Sequence, residues 1–182
     1  MSFLAKRPRA SQLRQWHLET RTAVDDRELT VLNLIAKRLP VPDAVLGMTE
    51  EEVADYFENA RSELDAAASL LALAEAEAVL RVDFLSRVKK RTKDPVSQSF
   101  RQLHKSKGES VRLDDDLLGT WAIHHSQCKA AVSEFRAALK LRHWLAHGRY
   151  STPKLGRTYV TQDIFGIADQ LFTKLPGVDG WL

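Results

Sequence analysis

Hydrophobic residues recur every three or four positions through most of the chain, and glycine and proline fall between these periodic segments. This spacing places apolar side chains along one side of a helix, so the pattern predicts an all-α protein. A first helix is predicted over about residues 11–39, ending before the prolines at positions 40 and 42. A second is predicted to begin at Thr49, because Glu52 three positions later completes a capping box, and to continue to about Arg91.

The second half of the chain carries shorter periodic segments. Helical structure is predicted over residues 95–105, 114–147 and 161–174, with a loop at 106–110. Acidic residues at 114–116 suit a first helical turn, Gly148 is expected to end its helix as a C-cap glycine, and Thr161 is expected to cap the last helix. We therefore expect residues 1–182 to form a single helical domain, a bundle of about five to six helices.

The composition is that of an ordinary globular protein. The chain has 182 residues, of which 44% are hydrophobic and 28% charged, which suits one domain with its own core. Cys128 is the only cysteine, so an intramolecular disulfide and a zinc site built on several thiolates are excluded. No apolar run approaches the roughly 20 residues needed to span a bilayer, and no signal peptide is recognisable, so we expect a cytoplasmic protein without a membrane partner.

The net charge is only +3, but the basic residues are clustered. The clusters comprise Lys6, Arg7, Arg9 and Arg14; then Arg87, Lys89, Lys90, Arg91 and Lys93; then Arg101, Lys105, Lys107 and Arg112. A polyanion can bind such clusters, although solvated helix ends and loops carry the same residues.

The segment from Arg142 to Tyr150 is the densest in chemically useful side chains. Arg142, His143, His147 and Arg149 place two imidazoles and two guanidiniums within eight residues, at the end of a predicted helix. Imidazole moves protons near neutral pH, and guanidinium binds phosphate through paired hydrogen bonds. The combination indicates chemistry on a phosphodiester, with RNA as the first substrate to consider.

Charged residues also fall on the apolar stripes of two predicted helices. Arg142 lies in the middle of one stripe, and Glu77 and Arg81, one turn apart, lie in the middle of the other. A charge on an apolar stripe needs a partner, because a lone buried charge costs several kcal/mol. Either Glu77 and Arg81 form a structural ion pair bridged to Arg142, or Glu77 orients Arg142 or a histidine in a polar pocket.

Arg142 and His147 are separated by four residues on a late helix, with the polar His143 next to the arginine, and this spacing resembles the motif of the HEPN superfamily. The resemblance covers about residues 50–175 and leaves residues 1–48 as an N-terminal helical extension. It implies a helical bundle that acts as a metal-independent endoribonuclease, with a toxin or defence component as one role. It also implies a homodimer whose two motifs form one composite site.

The resemblance further implies roles for individual residues. Arg142 and His147 would be catalytic, the arginine binding phosphate and the histidine acting as base or acid. The supporting residues would be His143, Glu77 and Arg81, and the RNA-binding residues Arg149, Tyr150 and Trp144. Trp144 has an alternative as a packing residue, since it lies on the far face of its helix. No cofactor and no metal are expected.

Two other interpretations remain open. His143 and His147, at i and i+4, can ligate a metal from one helix face, with further ligands drawn from His124, His125, Asp114–Asp116 or Cys128. The glutamate that zinc proteases place between two such histidines is missing. Alternatively, the chain is a non-catalytic module that dimerises or binds RNA or protein, with an antitoxin protein as a candidate partner. Arg142, Glu77 and Arg81 would then be a structural ion-pair network.

Overall fold

A computed structural model describes residues 9–149 and 155–181, and all regular secondary structure in these ranges is helical. The α-helices are α1 Ala10–Ala36, α2 Glu50–Lys90, α3 Pro95–Lys107, α4 Gly119–His124, α5 Lys129–Ala146 and α6 Thr161–Lys174. Six helices and no strand in the described ranges confirm the predicted all-α class. None of these helices combines the length and apolarity that crossing a membrane requires.

The described chain forms two compact units. One contains residues 11–68, and the other contains residues 9–10, 69–149 and 155–181. Helix α2 contributes to both, since the boundary falls between residues 68 and 69. The candidate site lies wholly in the second unit, which we call the site unit.

The unit of residues 11–68 has its own apolar cluster and its own ion pairs. Val31, Val45, Val53 and Phe57 are buried together in it. The buried His17 contacts Asp65, with Nε2 2.6 Å from Oδ1. At the start of α2, the amide of Thr49 donates to Glu52 Oε2 at 2.7 Å, and the Glu52 amide donates to Thr49 Oγ1 at 3.2 Å. The predicted capping box is therefore present.

The predicted helical stretch 114–147 is not continuous. It begins with a π-helical turn at Leu113–Leu118, passes into α4, and breaks at the extended His125 before one 3₁₀ turn and α5. A single helix over these residues would be about 50 Å long. Burial of both Trp121 and Phe135 in one unit favours two shorter helices instead. No proline marks this break, so tertiary packing decides it.

The C-terminal segment packs into the site unit through the side chain of Trp181. Trp181 is 1% exposed, its ring stacks on Phe172, and its Nε1 donates to Asp169 Oδ1 at 2.8 Å. Helix α6 has the predicted bounds, but the prediction that Thr161 caps it is wrong. The N-cap is Val160, and Thr161 is buried, with its hydroxyl 3.3 Å from Ser69 Oγ.

Candidate functional site

The C-terminal end of α5 presents the histidines of the Arg142–His147 motif. Gly148 has a φ of +87°, and the Arg149 amide donates to the Trp144 carbonyl at 3.3 Å. This is the bond of a Schellman motif, and a positive φ favours glycine at that position. The predicted C-cap glycine is therefore confirmed. Because the helix stops here, the side chains of His143 and His147 lie at an exposed helix end.

Glu77 of α2 joins two arginines. Its Oε1 accepts a hydrogen bond from Arg81 Nε at 2.8 Å, and its Oε2 lies 2.9 Å from Arg142 Nη2. The Glu77 side chain is 15% exposed, whereas those of Arg142 and Arg81 are 38% and 44% exposed. The carboxylate is thus nearly withdrawn from solvent, and each guanidinium extends from it toward the surface.

Arg81 does not lie in the middle of an apolar face. The buried face of α2 in the site unit is centred on Ala72, Leu73, Ala76 and Leu80, so Glu77 lies at its border and Arg81 lies outside it. The sequence pattern predicted that face about a third of a turn away. A long helix with many alanines offers several apolar stripes, and packing decides which one is buried.

The contact between Glu77 and Arg142 is an ion pair without hydrogen-bond geometry. The Arg142 Nε atom is buried and has no hydrogen-bond acceptor among residues 9–149 and 155–181. A guanidinium has five N–H donors, and here the carboxylate holds only one edge of it by charge. The Arg142 side chain as a whole is 38% exposed, so part of it remains accessible from solvent.

His143 and His147 form a contact of their own. Their ring centroids lie 4.2 Å apart with the planes inclined at 49°, and both residues are exposed. Within the described ranges neither ring contacts a carboxylate. Of the two orienting roles predicted for Glu77, the structure therefore shows contact with Arg142 and not with a histidine.

Two of the three residues predicted to bind RNA, Arg149 and Trp144, lie within the described part of the chain. Arg149 is exposed and has a φ of +53°, and Trp144 is half-buried on α5. Tyr150, the third of them, lies outside the described residues. Half-burial of Trp144 agrees with a packing contribution from this side chain.

Two residues of the predicted basic clusters, Arg87 and Lys107, are engaged in structural contacts. Arg87 pairs with Asp83 at 2.8 Å, donates to the Pro176 carbonyl and lies over the Trp121 ring. Lys107 lies 2.6 Å from Asp116. These two charges are compensated internally, whereas Lys89, Lys90, Arg91 and Lys93 of the second cluster are exposed. Lys6 and Arg7 lie outside the described residues.

The additional metal ligands considered from the sequence have other partners. His124 Nε2 lies 2.8 Å from Ser99 Oγ, and the Cys128 thiol donates to the carbonyls of His125 and Trp121. Asp114 pairs with Arg136. In the part of the chain that the structure describes, no three His, Cys, Asp or Glu residues are grouped as a metal site would require.

The arrangement can therefore bind an anion and transfer protons at one helix end. Arg142 supplies a positive charge that Glu77 holds in place, and His143 and His147 supply two imidazoles in contact. Comparison of the chain with protein-family models, curated proteins and solved structures finds no match, so the function is inferred from these residues.

Proposed function

We propose that this protein is a metal-independent endoribonuclease of the HEPN type. The observation that carries the proposal is the Arg142 guanidinium, held by Glu77 at 2.9 Å and followed five residues later by the exposed His147. A fixed positive charge and a proton-transfer group at the same helix end are what metal-free phosphodiester cleavage requires.

The reaction would be an internal transesterification. His147 takes the proton of the ribose 2′-hydroxyl, whose oxygen then bonds to phosphorus while the bond to the 5′-oxygen breaks. A second imidazole protonates the leaving oxygen, and Arg142 stabilises the charge on the phosphoryl group. The products are a 2′,3′-cyclic phosphate and a 5′-hydroxyl. In a homodimer, His147 of a second copy would supply the other imidazole.

Incubation of the purified protein with a labelled RNA tests the proposal. We expect cleavage that persists in EDTA and yields the cyclic phosphate. Arg142→Ala should lower kcat by about 10²–10³, the usual effect of removing one charge-stabilising donor. His147→Ala should lower it by about 10²–10⁴, the usual contribution of a proton-transfer group.

Matched controls are Arg157→Ala and His104→Ala, since both residues are exposed in the site unit and neither belongs to the motif. Both should cleave at the wild-type rate. Intact RNA with the wild-type protein, or equal cleavage by an Arg142→Ala, His147→Ala double variant, would contradict the proposal.

A second candidate function is a non-catalytic dimerisation module. The observation favouring it is an exposed apolar stripe on α2, where Leu71, Val82 and Leu85 are 44%, 51% and 56% exposed. With Ala78 between them, their spacing places them on one side of the helix. In this function, Glu77 would hold Arg142 and Arg81 as a structural network.

Sedimentation of the wild-type protein and of a Val82→Glu, Leu85→Glu variant tests this candidate. A wild-type dimer that the variant converts to a monomer, together with RNA left intact by both, would support the module over the enzyme. A wild-type monomer that leaves RNA intact would contradict both functions.

A further inference from the structure

An open groove of about 590 Å³ runs along α5 in the site unit, within the range of volumes that bind small ligands. Its lining residues are Asp114, Ser133, Arg136, Ala137, Leu139, Lys140 and His143. Four of these are spaced three or four residues apart along α5 and share one side of the helix, namely Ser133, Arg136, Lys140 and His143. The predicted site includes only His143 of this set.

The positive charge of the groove is unevenly compensated. At one end, Arg136 forms an ion pair with the Asp114 carboxylate, and its Nη2 donates to the Asp114 carbonyl at 2.8 Å. Lys140, about one turn further along, is exposed and has no acidic partner among residues 9–149 and 155–181. An anion in the groove is therefore drawn toward Lys140 rather than toward Asp114.

Part of the groove lining is apolar. Ala137 and Leu139 form this part and are half-buried. The exposed Ser133 adds a hydroxyl that can donate or accept a hydrogen bond. Apolar side chains beside a lysine match two parts of a nucleotide, the flat face of the base and the charged phosphate.

The groove is continuous with the candidate site. His143 lines its end, and the His143 ring lies 4.2 Å from the His147 ring. From Ser133 to His147 the helix rises about 20 Å. A single-stranded RNA lying along α5 would therefore pass from the groove directly to the residues proposed to cleave the RNA.

We propose that this groove binds the nucleotides on one side of the scissile phosphate, with Lys140 holding a backbone phosphate and Ala137 and Leu139 contacting a sugar or base. The proposal rests on the proposed function for its ligand, single-stranded RNA. It adds Lys140 as a residue that determines affinity for the strand without taking part in the chemistry.

The test is binding of a fluorescent 2′-O-methyl RNA 12-mer, measured by anisotropy over a series of salt concentrations. This strand cannot form a cyclic phosphate, so binding is measured whether or not the protein cleaves RNA. For single strands, each phosphate that the protein neutralises contributes about 0.7 to the steepness of the salt dependence. Lys140→Gln should lower the slope by that amount and weaken binding about equally for different sequences.

Lys129→Gln is the matched control, because Lys129 is an exposed lysine on the same helix that does not line the groove. It should keep the wild-type slope. Equal slopes for the Lys140→Gln and Lys129→Gln variants would overturn the proposal. So would poly-glutamate displacing the RNA at matched charge concentration, which would assign the groove to acidic polypeptides.

Cleavage assays separate this proposal from the proposed function. Lys140→Gln should raise KM for a cleavable RNA and leave kcat unchanged. If both lysine variants cleave RNA with the same KM, the proposed role of the groove is contradicted and the proposed endoribonuclease activity is supported. If Lys140→Gln changes the salt slope as expected but the wild-type protein does not cleave RNA, RNA binding by the groove is supported and the endoribonuclease activity is contradicted.

Discussion

Glu77 and Arg142, from helices far apart in the sequence, form an ion pair with 2.9 Å between Oε2 and Nη2. The same carboxylate holds Arg81 through its other oxygen. One nearly buried acid thus neutralises part of two guanidiniums and fixes the position of the one that belongs to the motif. Glu77 therefore positions Arg142, and under the proposed function it would act on RNA only through that arginine.

Replacing Glu77 tests this role. Glu77→Gln removes the charge that holds Arg142, and we expect kcat for RNA cleavage to fall about 10–100-fold, as orienting contacts typically do. KM should change little, and Glu77→Asp should restore part of the loss. The comparison variant is Arg81→Gln, which leaves the ion pair between Glu77 and Arg142 intact and should keep most of the activity. Equal losses in Glu77→Gln and Arg81→Gln would show that Glu77 does not act through Arg142.

Asp94 is the N-cap of α3, and its titration should make the free energy of unfolding depend on pH in the acid range. Burial alone would raise the pKa of Asp94, but hydrogen bonds from Ser97 and Thr92 and the charge of Arg87 outweigh it and lower the pKa to about 2. The unfolded value is about 3.9. A lowered pKa stabilises the fold above the unfolded value, and this contribution is lost as pH falls from about 4 toward 2.

Urea unfolding of Asp94 variants checks this expectation. Asp94→Asn keeps the cap to the Ser97 amide and removes the titration, so its difference in unfolding free energy from wild type should shrink between pH 4 and pH 2. Asp94→Ala also loses the cap, at a cost of about 0.5–2 kcal/mol at neutral pH. A wild-type to Asp94→Asn difference that stays constant with pH would refute the assignment.

Cys128 should be unreactive in the folded protein. It is fully buried, burial raises the pKa of its thiol, and only the thiolate attacks thiol reagents. We expect negligible reaction with a disulfide reagent in native buffer at about pH 7 and stoichiometric reaction in denaturant. Fast reaction in native buffer would mean that the turn between α4 and α5 opens readily.

Trp181 should stabilise the site unit strongly. Trp181→Ala removes a buried ring stacked on Phe172 and should lower the unfolding free energy by about 3–5 kcal/mol. Trp181→Phe keeps a ring but loses the donor to Asp169, so its loss should be smaller. Denaturant unfolding measures both variants. A decrease far below this range for Trp181→Ala, of about 1 kcal/mol or less, would show that the C-terminal segment contributes little.

Local signals in the sequence were sufficient for much of the helical structure. The Thr49–Glu52 capping box, Gly148 and the bounds of α6 depend on side-chain bonds or backbone angles within a few residues. Because such short-range interactions depend only on residues close in sequence, the local sequence pattern predicts them. The need of Arg142 for a partner was also predictable, because its position on the apolar stripe follows from helical spacing alone.

The tertiary structure decided what depends on distant residues. The break at His125 follows from packing Trp121 and Phe135 in one unit, and the buried face of α2 follows from which of its stripes finds a partner. The contact of Glu77 with Arg142, rather than with a histidine, and the groove at Lys140 also require helices to be placed in space. A periodic pattern shows which side of a helix can be buried, but the neighbour that covers it is chosen by the packing of the whole unit.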